Sequence, residues 1–210
     1  MRLAVLDLLV PPTCWACGEP APGGVLCGPC EDVLPWLDRP LTVPREGPLA
    51  AAWAPLAYAG PARVLVHALK FRGAAGLAGA MARHITDGIP PSVFAEGWAL
   101  VPVPAHPGRR RRRGFDHAEL LAAALARRTG LALLPALQRH GGARERQRGR
   151  HRTQRLAASA VSVGARHPAG GPCLLVDDVR TTGATAAACA AALRAAGAPQ
   201  VVAVSYAHVP

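Results

Sequence analysis

Short apolar runs separated by polar turn residues recur along the chain, and those near its end set the fold class. Cys173-Leu174-Leu175-Val176 runs into Asp177 and Asp178, then a turn of Thr181-Thr182-Gly183, then an alanine-rich run from Ala184 to Ala196 that stops at Gly197. So short an apolar run, bounded by polar turn residues, predicts a strand buried on both faces. Alanine is the best helix former and glycine a common residue just past a helix end, so 184–196 predicts a helix. Val201–Val204 supplies the next buried strand and closes a strand–turn–helix–strand unit. Upstream, Ala54–Tyr58 and Ala99–Pro104 predict strands, the latter running out into a loop where its prolines are tolerated. Val64–Leu69 and Leu77–Ile85 predict helices. Asp116 followed by Glu119 is a capping-box pattern for a helix that carries Arg127 and Arg128 in its last turn and stops at Gly130. The pattern predicts an α/β fold, a parallel sheet flanked by helices.

Composition adds an appendage and a localised charge. The 210 residues suit one α/β domain plus a small module. The expected division is a cysteine-bearing module at 1–40, a proline-rich linker at 41–53 and the main domain at 54–210. Lys70 is the single lysine, and the net charge is +11. Arg109–Arg113 carry five positive charges; from Arg139 to Arg155, seven arginines against Glu145 carry six, which completes the excess. Charge concentrated in this way implies a polyanionic ligand or partner, the alternative being a solvated basic loop. Between Phe115 and Tyr206 there is no aromatic residue, so no base-stacking platform is expected there. The opening MRLAVLDLLVPP is too short to cross a bilayer and is interrupted by Asp7, and no later segment approaches 18 uninterrupted apolar residues. The expectation is a cytoplasmic protein without membrane insertion.

Cys14, Cys17, Cys27 and Cys30 form C-x2-C-x9-C-x2-C. Two such knuckles can place four thiolates around a structural Zn2+. Two disulfides, redox-active C-x-x-C motifs or an iron–sulfur cluster are the alternatives; a reducing cytosol disfavours the first, and neither motif follows a strand as the second would require. A closed four-cysteine site braces rather than catalyses. Cys173 and Cys189 fall in the predicted strand and helix and are expected to be buried, inert thiols.

The chemistry centres on the turn after Asp178. A helix start offers free backbone N–H groups and a positive dipole end, to which Thr181, Thr182 and Thr185 add hydroxyls. Gly183 lets a phosphate approach the backbone closely. The two carboxylates suit vicinal hydroxyls beside that phosphate, and phosphate plus diol describes a ribose 5-phosphate. The bland alternative is an acidic strand end and a helix cap without a ligand. No G-x-x-x-x-G-K-[ST] and no G-x-G-x-x-G after a strand competes. The stretch resembles the PRPP-binding motif of type I phosphoribosyltransferases, which implies PRPP contacts at Asp177, Asp178, Thr181, Thr182, Gly183, Ala184 and Thr185, and Mg2+ arriving with PRPP.

Further motifs narrow the resemblance. Val101-Pro102-Val103-Pro104, a basic loop, Arg113-Gly114-Phe115-Asp116 leading into Ala118-Glu119-Leu120-Leu121-Ala122, the Ala68–Gly73 run ALKFRG, and Pro11-Pro12-Thr13-Cys14 are together similar to the ComF/GntX family of competence-associated, phosphoribosyltransferase-like proteins. The resemblance implies a pyrophosphate loop at 103–115 worked by Arg113 and Gly114, with His117 standing where the family often carries glutamine. Two functions follow. One is a PRPP-binding accessory protein of DNA uptake, with single-stranded DNA and a competence helicase as partners. The other is an active phosphoribosyltransferase of unknown acceptor. Lys70 and Arg72 are read either as phosphate contacts or as exposed helix-end cations.

Overall fold

The computed structural model describes residues 12–22, 24–39, 41, 47–71, 76–106, 108, 114–139 and 162–210. Its centre is a parallel six-stranded sheet. Strands β1 (Ala51–Trp53), β2 (Leu56–Ala57), β3 (Ala99–Pro102) and β4 (Ala132–Leu133) are joined there by two strands not adjacent to them in the chain. These are β7 (Cys173–Arg180) and β8 (Val201–His208), and the order is β1-β8-β7-β3-β4, with β2 also on β8. A separate antiparallel pair, β5 (Leu137–Arg139) and β6 (Val163–Ala165), sits beside the sheet.

Alternation along β7 and β8 assigns the two faces. Leu174, Val176, Val202, Val204 and Tyr206 belong to one hydrophobic cluster, with α2 (Gly60–Phe71), α3 (Leu77–Gly88) and α4 (His117–Thr129) over them. Cys173, Leu175, Val201 and Ala203 belong to the other, under α5 (Ala184–Ala195) and the β5–β6 pair. Both faces are covered, as a parallel sheet requires. The expected α/β class with flanking helices is therefore what forms, and Cys173 and Cys189 are buried as expected. Strands β7 and β8 each run four residues beyond their apolar reading.

Helix α4 bears out its sequence signals. Asp116 caps it by accepting a hydrogen bond from the Ala118 backbone N–H (3.0 Å), and Gly130 ends it at φ +75°. Asp116 also accepts from Ala105 N–H (2.9 Å), which ties the loop after β3 to the start of α4.

The cysteine-bearing segment packs into the main core. Cys14, Leu26 and Leu34 share the cluster of Leu56, Leu65 and Met81. Leu37 N–H donates to the Pro55 carbonyl (2.7 Å), and Ala57 N–H donates to that of Pro35 (2.9 Å). Glu31, in the short helix α1 (Gly28–Asp32), meets Arg83 at 2.7 Å and His84 at 3.0 Å. The fully buried His84 in turn lies 3.1 Å from the Tyr206 hydroxyl, and burial lowers its pKa. Strand β1 begins inside the stretch expected as linker, where Leu41 bridges to Ala52.

Candidate functional site

The sheet's wiring fixes where a site can form. The chain leaves β3 for α4 on one face and leaves β7 for α5 on the other, so the loops at the carboxyl ends of these neighbouring strands diverge. Such a switch point opens a crevice in doubly wound sheets. A cleft of about 520 Å³ lies there, lined by Val103, Pro104 and Ala105 after β3 and by Asp177, Asp178 and Thr185 from β7 and α5. Lys70, His106, His117 and Arg139 add polar groups to its wall.

Because side chains alternate along a strand, the two acids face different surroundings. Asp178, only 2% exposed, shares the face of Leu174 and Val176. Its Oδ2 lies 2.8 Å from Lys70 Nζ at the end of α2 and 3.4 Å from His117 Nε2 at the start of α4. Asp177 shares the parity of Cys173 and Leu175, and its Oδ1 accepts from the Asp178 backbone N–H (2.9 Å). Burial and the neighbouring Asp178 carboxylate push its pKa well above the usual carboxylate range. On the same side, the Cys189 thiol is pushed up to about 12 by burial and by the charge of Asp177. One ligand atom from each of His117, Asp177 and Asp178 lies within 4.8 Å of the others, close enough to share a cation.

The turn after β7 meets the expectation of a helix start built around glycine. Gly183 sits at φ +79°, immediately before α5, and Thr181 and Thr182 are exposed on the turn. Beneath it lies a group that the sequence reading passed over. Arg180 occupies the unconstrained position of the motif, yet it is 8% exposed and its guanidinium packs against Gly183. A Cβ on Gly183 would come within 2.8 Å of Nη2 and 2.9 Å of Cζ. A buried cation thus supports the turn whose upper side presents hydroxyls and helix N–H groups, an arrangement suited to an anion.

Of the expected site residues, Asp177, Asp178 and Thr185 line the cleft, while Thr181, Thr182, Gly183 and Ala184 form the turn beside it. Gly114 stands two residues before the Asp116 cap at φ +78°; Arg113 lies outside the described residues, as do Arg109–Arg112, Arg72 and 140–161. Arg139, the first residue of the expected basic loop, reaches the cleft wall. Lys70 is no exposed helix-end cation: its side chain is 22% exposed and paired with Asp178. The sequence signal for that partnership is weak, because the two positions are far apart in the chain.

The four cysteines form a second centre. One Sγ from each of Cys14, Cys17, Cys27 and Cys30 lies within 4.8 Å of the others, with Cys17 and Cys27 3.6 Å apart. A tetrahedral ion with bonds of about 2.3 Å to sulfur sets the sulfurs roughly 3.8 Å from one another, so the cluster fits a four-thiolate metal site. Among the described residues, no helix is long and apolar enough to cross a membrane.

A scan against protein-family models matches none. Among curated proteins, the chain is similar to the DNA utilization protein YhgH of Salmonella typhimurium strain LT2, at 32% identity over 202 residues that cover 90% of this chain and 80% of the relative. It is similar to the same degree to the DNA utilization protein YhgH of Salmonella typhi. Among solved structures it is similar to the allosteric regulatory enzyme of purine biosynthesis, with a TM-score of 0.40 and 18% identity over 61% of this chain. The chain spans 25% of that enzyme's length.

Proposed function

This chain belongs to the ComF family, the family of the YhgH proteins, and from that premise we propose that it binds PRPP with Mg2+ and serves DNA uptake or use. One observation carries the ligand half: two carboxylates and a cation-backed helix-start turn meet at the sheet's switch point. In this reading, Asp177 and Asp178 accept hydrogen bonds from the ribose 2- and 3-hydroxyls. Thr181, Thr182 and Thr185, the Gly183 backbone and the N–H groups of Ala184 and its successors take the 5-phosphate. Arg113 and Gly114 receive the pyrophosphate. Mg2+ would arrive with PRPP and supply positive charge against its phosphates, and Asp177, Asp178 and His117 are the residues that would hold it.

Lys70 then acts on the ligand through Asp178. Its ammonium, 2.8 Å from Oδ2, holds that carboxylate in place, so the acid faces the diol as an acceptor. The fit of the four sulfurs to a tetrahedral ion supports a structural Zn2+ at Cys14, Cys17, Cys27 and Cys30. The division into a metal module at 1–40, a linker at 41–53 and a phosphoribosyltransferase-like domain at 54–210 is part of the same proposal, as are cytoplasmic action, single-stranded DNA as a polyanionic partner and a competence helicase beside it. The relatives' designation as DNA utilization proteins and the concentrated arginine charge support the nucleic-acid half. Catalytic transfer of the ribose 5-phosphate to a nitrogen acceptor is the second reading, favoured by the intact pair of acids.

Calorimetric titration with PRPP and Mg2+, with and without an oligonucleotide, tests the binding reading, which fails if the folded, metal-replete protein takes up no PRPP. Release of pyrophosphate from PRPP across a panel of bases and amines separates turnover from binding alone.

A further inference from the structure

A buried chain of hydrogen bonds joins the cysteine site to the strand beside the cleft's acids, and neither proposed site uses it. Helix α1 has only five residues, with Cys27 at its cap and Cys30 within it, and Glu31 directly follows Cys30. So short a helix does not stand alone, and the backbone of Glu31 is held by the thiolates that flank it. Its carboxylate crosses to α3, with Oε1 2.7 Å from Arg83 Nη2 and Oε2 3.0 Å from His84 Nε2. A carboxylate only accepts, so Nε2 carries the proton, and His84 Nδ1 accepts from the Tyr206 hydroxyl at 3.1 Å. His84 and Tyr206 are both fully buried, and the Trp36 ring stands edge-on to the imidazole, 5.9 Å between centroids. Arg83 Nη2 also lies 3.1 Å from Nε2, but a guanidinium has only donors and cannot replace the carboxylate. Tyr206 sits on β8 between Ser205, which is registered against Asp177, and Ala207, which is registered against Val179.

We infer that Glu31 is a latch through which metal occupancy of the four cysteines controls the strand pair that carries the cleft's acids. The inference rests on the proposed four-thiolate site and adds a task for its metal beyond bracing the two knuckles. With metal bound, α1 is fixed and the chain from Glu31 through His84 to Tyr206 is complete. Without metal, Glu31 leaves with α1, and the Nε2–H of His84 is stranded in the core. A buried donor without an acceptor is satisfied only by opening to water, so the penalty is relieved where α3 parts from β8. That opening frees Tyr206 and loosens the β7–β8 ladder beside Asp177 and Val179. Metal supply thereby sets how firmly the acids are held, although none of the four cysteines lines the cleft.

Amide hydrogen exchange on the full-length chain tests this, on protein isolated with its metal and after a chelator has removed the metal under reducing conditions. The variants are Glu31→Ala, Glu31→Gln and Tyr206→Phe, with metal content measured on each. In wild type, metal removal should speed exchange across 201–208 roughly 5- to 150-fold, the range for one buried group left unpaired. Glu31→Ala should exchange fast there with its metal still bound and gain nothing further on removal. Glu31→Gln, whose amide oxygen still accepts, should stay close to wild type. Tyr206→Phe leaves the cysteines and Glu31 untouched; metal removal should then deprotect 77–88 but no longer 201–208. Protection of 201–208 that follows the metal in both Glu31→Ala and Tyr206→Phe overturns the latch. So does uniform loss of protection over the whole chain in wild type and variants alike, because the metal then holds the fold without Glu31. A metal-bearing wild type whose 201–208 is indifferent to removal leaves the four-thiolate site standing and overturns the latch alone. Native protein without metal overturns both.

Discussion

Placing an alanine at position 183 tests the cation-backed turn more sharply than a bulky residue would. Two costs are built into the site. At φ +79° a non-glycine residue pays roughly 1–2 kcal/mol for the left-handed conformation. The new Cβ also comes within 2.8 Å of Arg180 Nη2 and 2.9 Å of Cζ, well inside contact distance, so a buried guanidinium must shift. The atoms in the way are the far end of a flexible side chain, so the shift sits at the low end of overpacking costs, about 1 kcal/mol, and the total is roughly 2–3 kcal/mol. That is a large share of the roughly 5–15 kcal/mol available to a folded domain, without abolishing folding. The clash therefore falls on Arg180 beneath the turn, whereas sequence reasoning alone would have a side chain at 183 block the phosphate from above.

Urea unfolding of wild type, Gly183→Ala, Arg180→Ala and the double variant separates the two costs. In the Arg180→Ala background the same alanine should cost only the backbone share, about 1–2 kcal/mol, because the guanidinium is gone. The coupling is then the packing share, about 1 kcal/mol. Equal costs in the two backgrounds would falsify the claim that Arg180 props the turn. PRPP affinity should fall in Gly183→Ala and in Arg180→Ala alike, the first through turn geometry and the second through lost positive charge.

Zinc should copurify at one per chain by elemental analysis, and Cys27→Ser should release it; a metal-free native protein refutes the four-thiolate site. Asp178→Asn should weaken PRPP by roughly 1–3 kcal/mol in calorimetry, because a neutral amide accepts poorly from a ribose hydroxyl; unchanged affinity refutes the diol role. Asp177, with its pKa raised in the fold above the ordinary 3.8, favours the folded state while protonated and loses that contribution as pH rises through the folded value. Asp177→Asn should therefore raise the melting temperature of the ligand-free protein at pH 7, with the advantage shrinking as pH falls toward 4; a lower melting temperature at pH 7 contradicts it. Replacing Arg109–Arg112 with serine should flatten the salt dependence of single-stranded oligonucleotide retention on filters by up to about 3 in log–log slope, at about 0.7 per phosphate contact. An unchanged slope removes that stretch from the interface.

Local signals carried most of what was legible in the sequence. Apolar run length, the Asp116 cap and the glycine stops found β7, α4 and α5, because each depends on neighbours within a few residues. The strand ends were harder. Asp177–Arg180 and Ser205–His208 are polar enough to read as turns, yet they stay paired, Asp177 against Ser205 and Arg180 against His208, because the central strands carry the cleft at their ends. Arg180 was invisible because its burial depends on the turn folding back over it. The stretch between Phe115 and Tyr206 holds no aromatic residue, and those of the cleft come from 58–71, brought there by the packing of α2 on the sheet.

The pairing of β1 and β2 with β8 has a consequence for how the chain is made. Ala51 lies opposite Val202, and Leu56 opposite Ala207, so the earliest strands of the sheet find their partner only when the last one exists. The buried His84 likewise waits for Tyr206. On the ribosome, everything from the cysteine knuckles to α4 emerges with its apolar faces lacking a central strand to cover them. Long-range parallel pairing of this kind folds slowly and exposes sticky intermediates. A stalled or prematurely terminated product would lack a central strand rather than an edge, and should go to the proteolytic machinery instead of surviving as a shortened but working protein.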